Sequence, residues 1–202
     1  LNFPSLLGQQ VVDEPELSAS SDWTRDFMRK MRQLFPYQPT FMNNTVLGFS
    51  SRYAGLETDV LMLDDYLTNM EGRQVDTVVE QADVMWQVGA AEGKPCFYFL
   101  VCGNMPLHYK EPSYGEQIAQ TYGCLAAGCT GFSYFYGFPQ TPGNWKAIVQ
   151  LNKEIVSLTD VICSEEEAGE ATCSGDAKLL RHLTRKFDGA LYVVSCNVDE
   201  KP

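Results

Sequence analysis

Short apolar runs alternate with longer amphipathic stretches through most of this chain. The clearest run, Val60 to Leu63, has four apolar residues in a row and is followed by two carboxylates. A second run extends from Cys96 to Cys102, and between the two the stretch from Gln74 to Glu92 carries apolar residues at helical spacing. Continuous apolar strands separated by amphipathic helices are typical of a parallel sheet that is covered on both faces. The sequence therefore predicts an α/β fold.

Five parallel strands are predicted, the first around Val11-Val12 and the last from Gly131 to Gly137. A closed (β/α)8 TIM barrel has eight strands. If the helix that starts at Asn144 is the eighth, the predicted strands are the fourth to the eighth. Residues 1–162 are then the C-terminal part of a barrel, and the missing N-terminal half is expected from the same or a partner chain.

The alternation of apolar runs and amphipathic stretches ends at residue 162. Residues 163–176 are acidic and polar, which predicts a linker loop. In residues 177–202, two β-rich segments flank Asp188-Gly189, a strong hairpin signal. Two strands do not make a stable sheet alone. We therefore expect the first hairpin of a β-domain, whose remainder comes from the same or a partner chain.

Charge and composition exclude several classes of partner and cofactor. The net charge of -11 argues against nucleic acid and against anionic membrane surfaces. No apolar run is long enough to span a bilayer, so membrane insertion is not predicted. The sequence contains no C-x-x-C pair, no phosphate loop and no dinucleotide fingerprint. Neither a metal nor a cofactor is predicted.

The seven cysteines indicate an extracellular or secreted protein. Cys163 and Cys173 flank the acidic loop and could close it as a disulfide, while the odd count leaves at least one thiol unpaired within the chain. Asn43-Asn44-Thr45 matches the sequon for N-glycosylation. These features predict a secreted glycoprotein with a disulfide bond.

Glu14 is the first candidate for a catalytic residue. The predicted strand at Val11-Val12 ends in Asp13-Glu14, and Pro15 keeps Glu14 out of helical geometry. Catalytic residues of α/β barrels lie at the carboxyl ends of strands. The same two acids could instead begin a solvated loop and cap the next helix.

Several motifs together resemble the second half of TIM-barrel glycoside hydrolases, in the clan with catalytic carboxylates on strands four and seven. They are, in chain order, Pro4 to Gly8, the Asp13-Glu14-Pro15 turn, Asp59 to Tyr66, Gly93-Lys94-Pro95, Glu111 to Ser113, Ala126 to Phe135 and Trp145 to Ile162. The hairpin resembles the start of the β-sandwich domain that often follows such barrels. The resemblance implies a glycoside hydrolase acting on O-glycosidic bonds of an oligo- or polysaccharide, with Glu14 as general acid/base.

The chain departs from this family at the second carboxylate. Strand seven should end in a glutamate, but Cys102-Gly103-Asn104 has none, and the nearest is Glu111 in the following loop. Asp64 and Asp65, at the end of strand six, are the best substitutes as catalytic residues. The alternative is a catalytically inactive barrel that serves as a carbohydrate-binding or structural module of an extracellular assembly.

Other polar and aromatic residues near the predicted strand ends are candidates for binding a carbohydrate. They are Asp13, Asn43, Tyr66, Asn104, Tyr134 and Tyr136. Each tyrosine could equally pack in or around the barrel, and each asparagine could serve a turn. Trp23, Trp86 and Trp145 fall on the apolar stripes of helices and are predicted to pack there.

Overall fold

The structure is a computed structural model. It describes residues 8–49, 53, 56–66, 74–103, 111–135, 138–169, 171–172, 174 and 180–198. The strands are β1 (Gln9–Asp13), β2 (Thr40–Asn44), β3 (Val60–Asp64), β4 (Cys96–Val101), β5 (Gly131–Phe135), β6 (Leu180–Phe187) and β7 (Ala190–Asn197). The helices are α1 (Ser21–Leu34), α2 (Val46–Phe49), α3 (Val75–Glu92), α4 (Tyr114–Ala126), α5 (Pro142–Ser157) and α6 (Thr159–Ile162), with a 3-10 turn at Pro15–Leu17.

The first five strands form one parallel sheet in the order β1-β2-β3-β4-β5. This curled sheet is half of a barrel, and it confirms the predicted α/β fold with five parallel strands. Because successive strands are joined through helices, their carboxyl ends all lie at one edge. The polar residues that follow the apolar runs therefore meet there.

One face of the sheet packs against helices and forms the core. Leu61 and Leu63 of β3 and Tyr98 of β4 lie on this face, and each is completely buried. The apolar side of α3 covers them, with Val79 and Met85 also fully buried. Alternation along the strands sends the intervening residues to the opposite face.

The opposite face corresponds to the inside of the half-barrel. Asn43 pairs in register with Met62, and two residues further along β3 Asp64 pairs with Phe99. Phe41 and Phe97 contact each other on this face, with ring centroids 5.9 Å apart. Asn43 and Asp64 thus share a face with aromatic rings, at its carboxyl edge.

The three tryptophans are less buried than their helical stripes predict. Trp23, Trp86 and Trp145 are 52%, 43% and 45% exposed. Helix α1 instead buries Thr24 and Met28 against the sheet. A helical period locates an apolar stripe on a helix but does not say which part of that stripe a neighbour covers.

The predicted hairpin is confirmed, since β6 and β7 pair antiparallel and turn at Asp188-Gly189, where both residues have positive φ angles. The hairpin lies against α3 and α4. Cys196 and Val198 are buried in the core, and Arg181 forms an ion pair with Asp83 of α3 at 2.8 Å. The boundary at residue 177 and the continuation into a β-sandwich stay predictions.

Two predictions about covalent chemistry are wrong. Cys163 is a free thiol, so the disulfide to Cys173 does not stand, and Cys173 itself lies outside the described residues. Asn43, the acceptor of the sequon, is only 2% exposed and its amide nitrogen binds Asp13, so glycosylation there is incompatible with the fold. In the part of the chain that the structure describes, no helix is long and apolar enough to cross a membrane.

Candidate active site

The carboxyl ends of β1, β2 and β3 bring together four polar side chains. They are Asp13, Glu14, Asn43 and Asp64, which we call the carboxyl cluster. Asp13 pairs with Asn43 in the sheet, and Asn43 Nδ2 donates a hydrogen bond of 2.9 Å to Asp13 Oδ1. Three of the four residues were singled out from the sequence as strand-end acids, and the fourth as a strand-end amide.

Glu14 occupies a left-handed backbone conformation, with φ 42° and ψ 53°. This region is uncommon for a residue other than glycine. Its N–H donates to the carbonyl of Asn43 at 2.9 Å, and its carbonyl accepts from Leu17 N–H at 3.1 Å. The backbone thus fixes the direction in which the side chain leaves the end of β1.

The environment of Glu14 favours its protonated form. The pKa of this carboxyl is raised from its ordinary value of 4.5 to about 7, and burial is the largest cause. The charge of Asp64 contributes next, followed by the charge of Asp13, a hydrogen bond with Asp64 and the charge of Glu16. Glu14 therefore gains and loses a proton near neutral pH, as a general acid or base needs to.

Asp64 is the carboxyl that shares this proton. Burial raises its pKa, but the hydroxyl of Tyr66 donates to Asp64 Oδ2 at 2.9 Å and opposes that rise. Hydrogen bonding with Asn43 and Glu14 also favours the ionised form, while the charge of Asp13 disfavours it. Oδ1 is buried and has no well-aligned donor among the described residues. The two oxygens of Asp64 thus differ, since Oδ2 accepts from Tyr66 and Oδ1 is a buried acceptor.

An aromatic contact holds Tyr66 in place beside Asp64. Its ring stacks on Phe135 at the end of β5, with centroids 4.7 Å apart and planes inclined by 15°. The hydroxyl points to Asp64 as described above. Tyr66, predicted to contact a sugar, is thus itself a neighbour of the carboxyl cluster. Phe135 was not singled out from the sequence, where it stands among several aromatic residues of one strand.

The structure separates Asp65 from this group. Its Oδ1 accepts from Tyr66 N–H at 3.0 Å, and its carbonyl accepts from the hydroxyl of Tyr98 at 3.2 Å. These bonds shape the turn after β3. Asp64 is among the acids that raise the pKa of Glu14, and Asp65 is not.

Other candidate residues lie elsewhere or outside the described residues. The carboxylate of Glu111 accepts from Gln140 N–H and from the N–H and hydroxyl of Thr141, so it fastens the start of α5. The hydroxyl of Tyr134 donates to Asn152 of α5, on the helix-covered side of the sheet. The predicted residues Asn104 and Tyr136 are outside the described residues. Within those residues, no group of three or more His, Cys, Asp or Glu side chains is arranged to hold a metal ion.

The chain is similar to a solved structure of another protein. No family model and no curated protein matches this chain. The crystal structure of the HMG-CoA lyase from Brucella melitensis is similar, with a TM-score of 0.48 and 16% sequence identity. The match covers 68% of this chain and 52% of the lyase, so the chain spans about half the length of that protein. At this level, the likeness carries no argument about what this chain does.

The resemblance to glycoside hydrolases is corrected by these comparisons. No glycosidase family model matches, and the solved structure named above is a lyase by name. The glycoside hydrolase assignment, its inactive-barrel alternative and the prediction of a disulfide-bonded glycosidase are therefore wrong, whereas the extracellular or secreted location stays a prediction. The motifs behind the resemblance are short strand ends and turns, which many parallel α/β folds share.

Proposed function

We propose that the carboxyl cluster is the active site of an enzyme that transfers a proton between Glu14 and a bound substrate. The observation that carries this proposal is the raised pKa of Glu14, about 7, beside a second carboxyl, that of Asp64, whose charge and hydrogen bond contribute to the rise. A pair of carboxyls with unequal environments separates a proton donor from a proton acceptor. Glu14 donates or removes the proton, and Asp64 is the carboxyl with which Glu14 interacts as it does so.

The charges around Glu14 restrict the substrate. The groups that shift its pKa are all carboxyls, namely Asp64, Asp13 and Glu16, and all three raise it. A phosphorylated or carboxylated substrate would add a further negative charge to this group. We therefore propose a neutral or cationic polar substrate. A carbohydrate is one such substrate that we propose, because its hydroxyls can pair with the amide and carboxylate groups of the carboxyl cluster.

The rest of the architecture is also proposed. A half-barrel leaves β1 and β5 each with one unpaired edge in the described sheet. Three further strands would close it as a (β/α)8 barrel, with β1 to β5 as strands four to eight. The hairpin would start a β-sandwich, and the location would be extracellular. The missing strands would complete the surface around the carboxyl cluster.

The experiment uses 5-nitrobenzisoxazole as a probe of proton abstraction. A carboxylate base removes the ring C–H proton, the N–O bond breaks, and the electron pair ends on a coloured cyanonitrophenolate. The full chain is expected to accelerate this reaction with a rate that rises through a midpoint near pH 7, where Glu14 ionises. The variant Glu14→Gln is expected to lose about a hundredfold or more of this activity.

A matched substitution separates this effect from general perturbation. Glu80→Gln changes an exposed glutamate of α3 in the same way and is expected to leave the rate unchanged. Thermal unfolding of both variants checks that they are folded. Equal rates for E14Q and the parent chain, or a midpoint close to the ordinary pKa of a glutamate, would remove the basis of the proposed function.

A further inference from the structure

We propose that Glu16 is a positioning residue, whose ionised carboxylate fastens the turn after β1 to the end of β2 and thereby holds Glu14 against Asp64. This inference rests on the proposed function, because it assigns a role in the same site. Glu16 lies two residues after Glu14, inside the 3-10 turn. Nothing in its sequence position distinguishes it from an ordinary surface acid.

The carboxylate of Glu16 accepts three hydrogen bonds from the end of β2. Asn44 Nδ2 donates to Oε2 at 2.8 Å, and the hydroxyl of Thr45 donates to Oε1 at 2.8 Å. Thr45 N–H also donates to Oε1. Hydrogen bonds to an ionised acceptor are roughly twice as strong as neutral ones. These contacts span 28 and 29 residues of sequence, so they tie two separate strand ends together.

The packing around these bonds is tight. Asn44 is completely buried, and Gly48 of α2 sits directly against it. A Cβ at Gly48 would lie 2.6 Å from Asn44 Nδ2 and 2.8 Å from Glu16 Oε1. Any side chain at position 48 would therefore displace Asn44, the Glu16 carboxylate or both. The fold therefore packs closely around this contact.

The hydrogen bonds of Glu16 help to hold the left-handed backbone conformation of Glu14. Such a conformation is strained at a non-glycine residue and persists only where its surroundings enforce it. On one side Glu14 is held by its own N–H, which donates to Asn43. On the other side, Glu16 anchors the same turn to Asn44 and Thr45. The two attachments together fix the direction of the Glu14 side chain.

Two substitutions of Glu16 separate its charge from its hydrogen bonds. Glu16→Gln removes the charge but keeps an acceptor for Thr45, and the introduced amide can donate to Asn44 Oδ1, which is buried without a partner in the described structure. Glu16→Ala removes both the charge and the bonds. The charge of Glu16 is the smallest cause of the raised pKa of Glu14, so its loss alone should matter little.

The measurement is the pKa of Glu14 in the full chain, followed by carbon-13 NMR of its carboxyl. E16Q is expected to keep a value close to the parent's 7, whereas E16A should lower it by about one unit or more as Glu14 moves away from Asp64. Thr45→Val keeps the Glu16 charge, removes one of its donors and should shift the pKa in the same direction. It also decides the matter if E16A does not fold.

The outcomes distinguish this inference from the proposed function. Equal pKa values in E16Q and E16A, with no shift in T45V, overturn the positioning role, because only the charge of Glu16 would then act on Glu14. Unchanged turnover of 5-nitrobenzisoxazole by E14Q counts against the proposed function alone. The Glu14 pKa needs no substrate, so the two tests can fail separately.

Discussion

Glu14 holds its proton more tightly in the folded chain than in the unfolded chain, because burial and neighbouring carboxylates disfavour its ionised form. Its pKa is raised from 4.5 to about 7, so the folded state binds more protons than the unfolded state between these values. The free energy of unfolding contributed by this group is therefore highest below pH 4.5. It falls as the pH rises toward 7 and stays constant above that.

Replacing Glu14 by glutamine should remove this pH dependence. E14Q is expected to be more stable than the parent chain at pH 8 by about 1 kcal/mol, a value reduced for solvent screening of a partly exposed side chain. At pH 4.5 the two should be nearly equal, because Glu14 is then protonated in the folded protein. Urea unfolding at both pH values measures the difference, and an equal difference at both would contradict the assigned pKa.

The hydroxyl of Tyr66 should control how the proton is divided within the carboxyl cluster. Tyr66→Phe keeps the ring stacked on Phe135 and removes the 2.9 Å hydrogen bond to Asp64 Oδ2. Since this bond lowers the pKa of Asp64, its loss should raise that pKa. Carbon-13 NMR of the aspartate carboxyls measures the change. Tyr122→Phe, a second hydroxyl donor to a carboxylate, should leave Asp64 unaffected.

Individual residues of the site could be predicted from the sequence only where they follow an apolar run at the end of a strand. Asp13, Glu14, Asn43 and Asp64 follow apolar runs, and parallel strands bring such positions to one edge. Glu16 has no such signal, because its partners are almost thirty residues away and the hydrogen bonds depend on how two loops approach. The choice of Asp64 over Asp65 also needed the structure, since the direction of a side chain at the end of a strand is set by the turn.

Helix α4 contains a buried polar side chain to which the described residues offer no hydrogen bond. Gln117 is completely buried, and neither Nε2 nor Oε1 has a partner in the described structure. A buried polar group without a hydrogen bond costs about 1 to 3 kcal/mol. Gln117→Met, which keeps the shape of the side chain, is therefore expected to raise the free energy of unfolding by an amount in this range.

One turn further along α4, the same substitution should have the opposite effect. Gln120 is equally buried, but its Nε2 donates to the carbonyl of Val101 at 3.1 Å. Gln120→Met removes that donor and should lower the free energy of unfolding. Chemical unfolding of both variants tests the pair, and destabilisation by Q117M would show that its amide is satisfied by water.

Elements were easier to predict than residues because they depend on local patterns. The Ser113-x-x-Glu116 spacing predicts the start of α4, and the structure contains the full capping box. Asp188-Gly189 likewise predicts the hairpin turn. The failures concern what lies against an element, as with Trp23, which is on the apolar stripe of α1 yet half exposed. A local sequence pattern does not show which other element packs against a given face of a helix.

At the scale of the whole molecule, the relation between the hairpin and the half-barrel was the least predictable feature. The acidic segment after Ile162 predicts a linker, and a linker suggests independent parts. In the structure, the end of β7 instead reaches the core beside α4. Val198 is 2% exposed, and its Cγ1 is 3.3 Å from the position that a Cβ of Gly123 would take. This contact involves residues 75 positions apart, beyond any local pattern.

If this packing couples the two parts, a change in the hairpin segment should destabilise the half-barrel. Val198→Ala deletes two buried methyl groups and is expected to lower the free energy of unfolding by about 2 kcal/mol. All three tryptophans lie in α1, α3 and α5, so their fluorescence reports on the half-barrel alone. Val193→Ala, at a 52% exposed position of β7, is the matched control and should have no effect. A tryptophan transition unchanged by V198A would mean that the hairpin folds separately, as expected for the first part of an independent β-domain.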